Sequence, residues 1–124
     1  MPRYVPERNH IVWLDFEPTK GKEIGKYRPA LVLSSKDYNK ATGLLICCPI
    51  STSIRGAATE VPINNLDDPC VVATNLIHTL DWQERKVKQI AKAHKGVMNE
   101  VLVRLIPIIG ADRLINDFLQ NDND

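Results

Sequence analysis

The architecture follows from one stretch, IVWLDFEPTKGKEIGKYRPALVLSS, residues 11–35. Its two ends are short apolar runs rich in β-branched or aromatic residues, HIVWLDF and PALVLSS, bounded by Pro, Gly and charge; both read as strands. Between them the chain has almost nothing to bury. Lys20, Lys22, Lys26 and Arg28 surround a single carboxylate, Glu23, while Gly21 and Gly25 permit positive φ or close approach of the backbone to a ligand. The loop lacks the G-x-x-x-x-G-K-[ST] pattern of a phosphate-cradling Walker loop. Two readings fit it, a solvated basic hairpin or a cationic wall for phosphate. Arg28 stands apart from the lysines because it immediately precedes Pro29, which holds its backbone extended. A guanidinium on a fixed root suits bidentate phosphate recognition, and equally an ion pair with a local carboxylate.

The rest of the first two-thirds continues in the same style. GLLICCPIS reads as a third strand following a turn or short helix at KDYNKATG, and TEVPI as an edge strand whose Pro62 has no N–H for a central ladder. CVVATNLIHTL follows, then KVKQIAKA with alternating character. In GVMNEVLVRLIPIIG the period changes: Val97, Val101, Leu105 and Ile108 recur at helical spacing, with Asn99 placed to cap, Gly110 to close and Pro107 near the end. A second short helix, ADRLINDFL, precedes a solvated tail, QNDND. This order predicts a mainly β protein, a strongly bent antiparallel sheet or small barrel with a C-terminal helix packed on it. Residues 1–111 form the body, and residues 112–124 a short helix and acidic tail of the same domain.

A chain of 124 residues with 44% hydrophobic residues suits one core. Its net charge is +1, but the segment from Asp112 to Asp124 holds four acids and one base, leaving +4 on the body. The three cysteines, Cys47, Cys48 and Cys70, have neither a metal-binding spacing nor an even count, so the chain reads as reduced and cytoplasmic. Adjacent Cys47 and Cys48 fall on opposite sheet faces, which places one of them in the core. MPRYVPERNH has no apolar h-region and no stretch approaches the length of a membrane span, so a soluble chain that is not exported is expected.

Two further groups of residues carry chemistry. In CPISTSIRG, Pro49 is expected to break a buried strand, and Ser51, Thr52 and Ser53 follow as hydroxyls that cap a loop or donate to phosphate oxygens. In ATNLIHTLDW, Asn75 and His78 interrupt an apolar run. His78 has no second ligand at zinc spacing, so a satisfied or exposed histidine is the better reading and no metal is expected. No serine-hydrolase, dinucleotide or metalloprotease motif is present.

The wording of the chain resembles the MazF/PemK family of toxin endoribonucleases. IVWLDFEPTKGKEIGKYRPALVLSSKDYN is similar to that family's N-terminal signature, a strand ending in D-x-x-P-T, a G-x-E loop, then R-P and an apolar strand. PIST, VVATNLIHTLDW and MNEVLVRL extend the likeness across residues 4–110. The resemblance implies an SH3-like or PemK-type barrel acting as a homodimer without a cofactor or metal. Its substrate would be single-stranded RNA, its restraint a cognate antitoxin protein, and its contact with DNA only through that antitoxin. It implies catalytic roles for Arg28, Ser51 and Glu23. RNA would be held by Lys20, Lys22, Lys26, Thr52, Asn75 and His78.

The departures narrow the mechanism. Ser51 stands where many members have Thr, Asn75 where several have Asp, Ala73 where some have Arg, and Lys22 where some have His. A scheme resting on His, Arg and Asp together is therefore excluded, and one centred on Arg28 and Ser51 remains. The alternative is a non-catalytic binding module on the same barrel, like the toxins that poison gyrase, or a member that binds only antitoxin. Retention of Glu23, Arg28 and Ser51 favours the enzyme.

Overall fold

The computed structural model describes residues 3–121. The elements are β1 (His10–Asp15), β2 (Tyr27–Val32), α1 (Lys36–Thr42), β3 (Leu44–Ser51), β4 (Glu60–Ile63), β5 (Cys70–Ala73), β6 (His78–Asp81), β7 (Lys88–Lys92), α2 (Val97–Ile108) and α3 (Ala111–Asn121). All strand pairs are antiparallel, in the order β4-β5-β3-β2-β1-β7, with β6 joined to β3. The sheet curls into a half-barrel, and the mainly β, bent-sheet expectation holds.

β3 explains the curl. Along one edge it pairs with β2, from Val32↔Cys47 to Ala30↔Pro49. Along the other it changes partner, with Leu44–Cys47 against β6 and Ile50–Ser51 against β5. The expectation that Pro49 breaks this strand fails: it is fully buried within β3. It sits between Cys47, the last residue paired with β6, and Ile50, the first paired with β5, where a missing N–H removes no ladder bond. The run CVVATNLIHTL is accordingly not one strand. It supplies both partners of β3, and the turn at Thr74–Asn75 carries the chain between them. Buried Thr74 pins that turn, its Oγ1 donating to the Thr59 carbonyl at 2.5 Å.

The sheet is covered on both faces, so both Cys47 and Cys48 are buried rather than one. One core gathers Ile11, Leu31, Cys48, Ile50 and Val72 with Met98, Val101 and Leu105 of α2. The other gathers Val12, Leu14, Ala30, Val32, Leu45 and Cys47 with Phe16 and Trp82. Alternation along β1, β2 and β3 feeds the two in turn. Asn39, the buried residue of α1, ties the second face together: its Nδ2 donates to the Pro6 carbonyl at 2.8 Å, and its own carbonyl accepts from Trp82 Nε1 at 3.0 Å.

α2 does not begin as expected. Its N-cap is Gly96, at φ 93, with no side-chain cap bond, and Asn99 lies within the first turn. The left-handed step out of the preceding turn requires the glycine, which fixes the helix start ahead of Asn99. Pro107 sits in the last turn without ending it, since the Ile109 N–H still reaches the Leu105 carbonyl at 3.2 Å. α3 has no buried residue. Its apolar side chains Leu114, Ile115, Phe118 and Leu119 are 44–63% exposed. Gln120 and Asn121, expected in the tail, are helical; Asp122, Asn123 and Asp124 of that tail lie outside the described residues.

Candidate active site

The basic loop is held at both ends by its own backbone and by one arginine. The Phe16 N–H donates to the Lys26 carbonyl at 2.9 Å, and Arg85 donates through Nη1 to the carbonyls of Asp15 (3.2 Å) and Glu17. A tight turn at Gly21, φ 55, lets the Lys20 N–H donate to Glu23 Oε1 at 2.6 Å while the Glu23 N–H returns to the Lys20 carbonyl at 3.1 Å. Glu17 turns inward and accepts from the Lys26 N–H at 2.8 Å. Gly25 lies so close to the Glu17 carboxylate that a Cβ there would collide with it. The ordering ends at Arg28, whose Nε donates to the Gly25 carbonyl at 2.6 Å.

Arg28 is half-buried on β2, registered against Leu14. Among the described residues no carboxylate lies within ion-pair distance of it, so the local-partner reading of this arginine finds no support. Its Nε is spent on Gly25, leaving the guanidinium's outer nitrogens for a ligand. Burial lowers its pKa from the ordinary value.

The β2–β3 register brings the second group in. Carrying the Ala30↔Pro49 pairing two residues further sets Arg28 opposite Ser51, on the same face. Both line a cleft of about 420 Å³, together with Lys22, Glu23 and Asn75. Ser51 Oγ accepts from the Ser53 N–H at 3.0 Å, and its hydroxyl hydrogen remains for a further acceptor.

Other candidates are placed elsewhere. Thr52, like Pro29, lines a second cleft of about 440 Å³ that includes Trp13. His78 begins β6; its Nδ1 is 2.7 Å from the Leu76 carbonyl and its ring packs edge-on to Phe16 at 5.2 Å. One ring nitrogen is thus held by backbone, and His78 does not line the cleft of Arg28. Lys20 and Lys26 contribute backbone to the loop and do not line the Arg28 cleft, whereas Lys22 does. Sequence reasoning passed over Arg55 and Glu60, which also line it. The one sequence signal for them was the Arg55-Gly56 pair closing CPISTSIRG. Among the described residues no cluster of His, Cys, Asp or Glu is arranged to hold a metal ion.

A curled half-barrel carrying a hydroxyl, a carboxylate and an arginine without an ion pair among the described residues, all in one open cleft, has the chemistry suited to gripping a phosphate ester. The comparisons give that arrangement its family. The chain belongs to the PemK-like, MazF-like toxins of type II toxin–antitoxin systems, whose family model matches residues 7–109. The endoribonuclease toxin MazF of Escherichia coli K12 is 37% identical over 83 residues, covering 67% of this chain and 75% of that protein. The crystal structure of MazF from Deinococcus radiodurans superposes with a TM-score of 0.84 at 40% identity, covering 87% of this chain and 99% of that one. A MazE–MazF complex from the same organism superposes at 0.77 and 40% identity, covering 87% and 98%.

Proposed function

We infer that this chain is the toxin of a toxin–antitoxin pair, an endoribonuclease that cuts single-stranded RNA and so arrests translation. The observation that carries the reading is Arg28. Its guanidinium is anchored by Nε on Gly25, has no carboxylate partner among the described residues and faces Ser51 across one cleft. The relatives that support it are named endoribonucleases, and the solved complexes pair MazF with MazE. On that basis the partners of this chain are RNA, an antitoxin protein and a second copy of itself, and its place is the cytoplasm.

The proposed reaction moves one proton at each end of the scissile bond. The ribose 2′-oxygen attacks the adjacent phosphorus, its proton passing to a base, while the 5′-oxygen leaves with a proton from an acid. The products are a 2′,3′-cyclic phosphate and a 5′-hydroxyl. Glu23 is the loop carboxylate suited to accept the first proton. Arg28 faces the phosphorane oxygens, where positive charge on a fixed root stabilises developing charge. Burial pushes its pKa down, which makes it a better proton donor to the 5′-oxygen. Ser51 donates a hydrogen bond to a non-bridging oxygen.

The test is incubation of the purified protein with single-stranded RNA in EDTA, followed by analysis of the new ends. Cyclic phosphate and 5′-hydroxyl ends that vanish in Arg28→Ala are expected. Intact RNA across varied sequences, with folded protein free of antitoxin, would overturn the reading.

A further inference from the structure

We propose that Arg55 is a second phosphate-binding cation of the cleft, gripping a phosphate next to the scissile one, and that Glu60 is the positioning residue that sets it there. The inference rests on the endoribonuclease reading and extends it to substrate length.

The geometry is specific. Glu60 Oε1 accepts the backbone N–H groups of Arg55, Gly56 and Ala57 at 3.2, 2.9 and 3.3 Å, and Oε2 shares the Arg55 N–H at 3.2 Å. Three consecutive amides thus converge on one carboxylate, an arrangement that anions commonly occupy. Gly56 makes the convergence feasible, since its φ of 74 is left-handed. The Glu60 N–H returns to the Ala57 carbonyl at 3.0 Å, and Arg104 of α2 holds the next carbonyl, Ala58, through Nε at 3.0 Å. An otherwise irregular segment is pinned to β4 and to α2.

That pinning has two consequences. Glu60 lines the cleft with both oxygens engaged by three amides, whereas Glu23 accepts one amide through Oε1 and keeps Oε2 for a proton. Arg55 lines the cleft with its backbone fixed and, among the described residues, its guanidinium makes no ion pair. Arg28 and Arg55 are therefore two cations, each with a held root, in one groove too large for a single phosphate. A strand presenting consecutive phosphates is the ligand that uses both.

The experiment compares two substrates with Arg55→Ala, Glu60→Ala and Glu60→Gln: a dinucleoside monophosphate, which has only the scissile phosphate, and a longer RNA oligonucleotide. For the oligonucleotide, Arg55→Ala and Glu60→Ala should each raise KM about tenfold with kcat little changed, the signature of uniform binding. The double variant should be no worse than either single one. Glu60→Gln, which keeps an acceptor for the amides, should retain most of the affinity. On the dinucleoside monophosphate, Arg55→Ala should have no effect. A uniform loss on both substrates, or full additivity of the two alanine variants, would overturn the proposal. Should Glu60→Ala fail to fold, Glu60→Gln and Arg55→Ala decide the matter. Binding of the all-2′-deoxy oligonucleotide is measured in parallel. If wild type cuts no RNA the endoribonuclease reading fails, and an Arg55-dependent affinity for the uncleavable strand still reports on the second phosphate site.

Discussion

Ser51 offers the most direct test of the chemistry at the scale of single residues. Removing one preorganised donor to a developing charge costs roughly 10²–10³ in rate. Ser51→Ala should therefore lower kcat by about 10²-fold, whereas Ser51→Thr keeps the hydroxyl with a stiffer rotamer and should retain activity. Single-turnover cleavage at saturating RNA checks both. His10 gives a prediction about stability. Tyr4 Oη lies 2.8 Å from its Nδ1, and the two rings stack at 5.9 Å. Burial lowers the imidazole pKa, Glu7 opposes, and Lys92 and Lys36 lower it further. The native state thus takes up its proton at a lower pH than the unfolded chain. The contribution is complete above the unfolded value of about 6.5 and is lost as pH falls below it. Thermal melting from pH 7.5 to 5 should show that decline, and His10→Asn should flatten it.

Among the elements, the loop between β1 and β2 is the one whose shape controls the site. Gly25→Ala would push the Glu17 carboxylate off the Lys26 N–H and shift the carbonyl that holds Arg28. A loss of about tenfold in kcat/KM, on the order expected for a slightly misplaced catalytic group, should appear with the melting temperature nearly unchanged. α3 is expected to behave in the opposite way. It lies beyond the family match and buries no side chain. Ending the chain at Gly110 should change unfolding free energy by no more than about 0.5 kcal/mol, the size of an ordinary surface change. Denaturant melts of the two lengths test this, and a larger loss would make α3 part of the core domain.

For the molecule as a whole, charge placement decides how RNA is approached. Lys22 lines the cleft, while Lys20 and Lys26 hold the loop through their backbones. For a single strand each phosphate contact contributes about 0.7 to the slope of log affinity against log salt. Lys22→Gln should reduce the slope by about that amount; Lys20→Gln and Lys26→Gln should change it less. Equal effects at all three would show that the loop acts as a diffuse cationic surface.

Much of this molecule was legible in order of residues alone. Short apolar runs rich in β-branched and aromatic residues, a Gly-broken basic loop and a late helical period specify a bent antiparallel sheet carrying a helix, because run length and local periodicity report what must be buried. The Arg-Pro step likewise marks Arg28 as a residue with a fixed root. What periodicity does not carry is partner choice. β3 exchanges β6 for β5 at Pro49, both cysteines are buried because both faces are covered, and the turn at Thr74 divides one apolar run into two strands. The site shows the same division. Ser51 and Thr52 are neighbours in sequence, yet one lines the cleft of Arg28 and the other the cleft of Trp13, while Arg55 arrives through amides gathered by Glu60. The first of those placements depends on strand register, which exists only once the sheet has closed, and the second on a short-range turn whose Glu60 is held in β4 against β5.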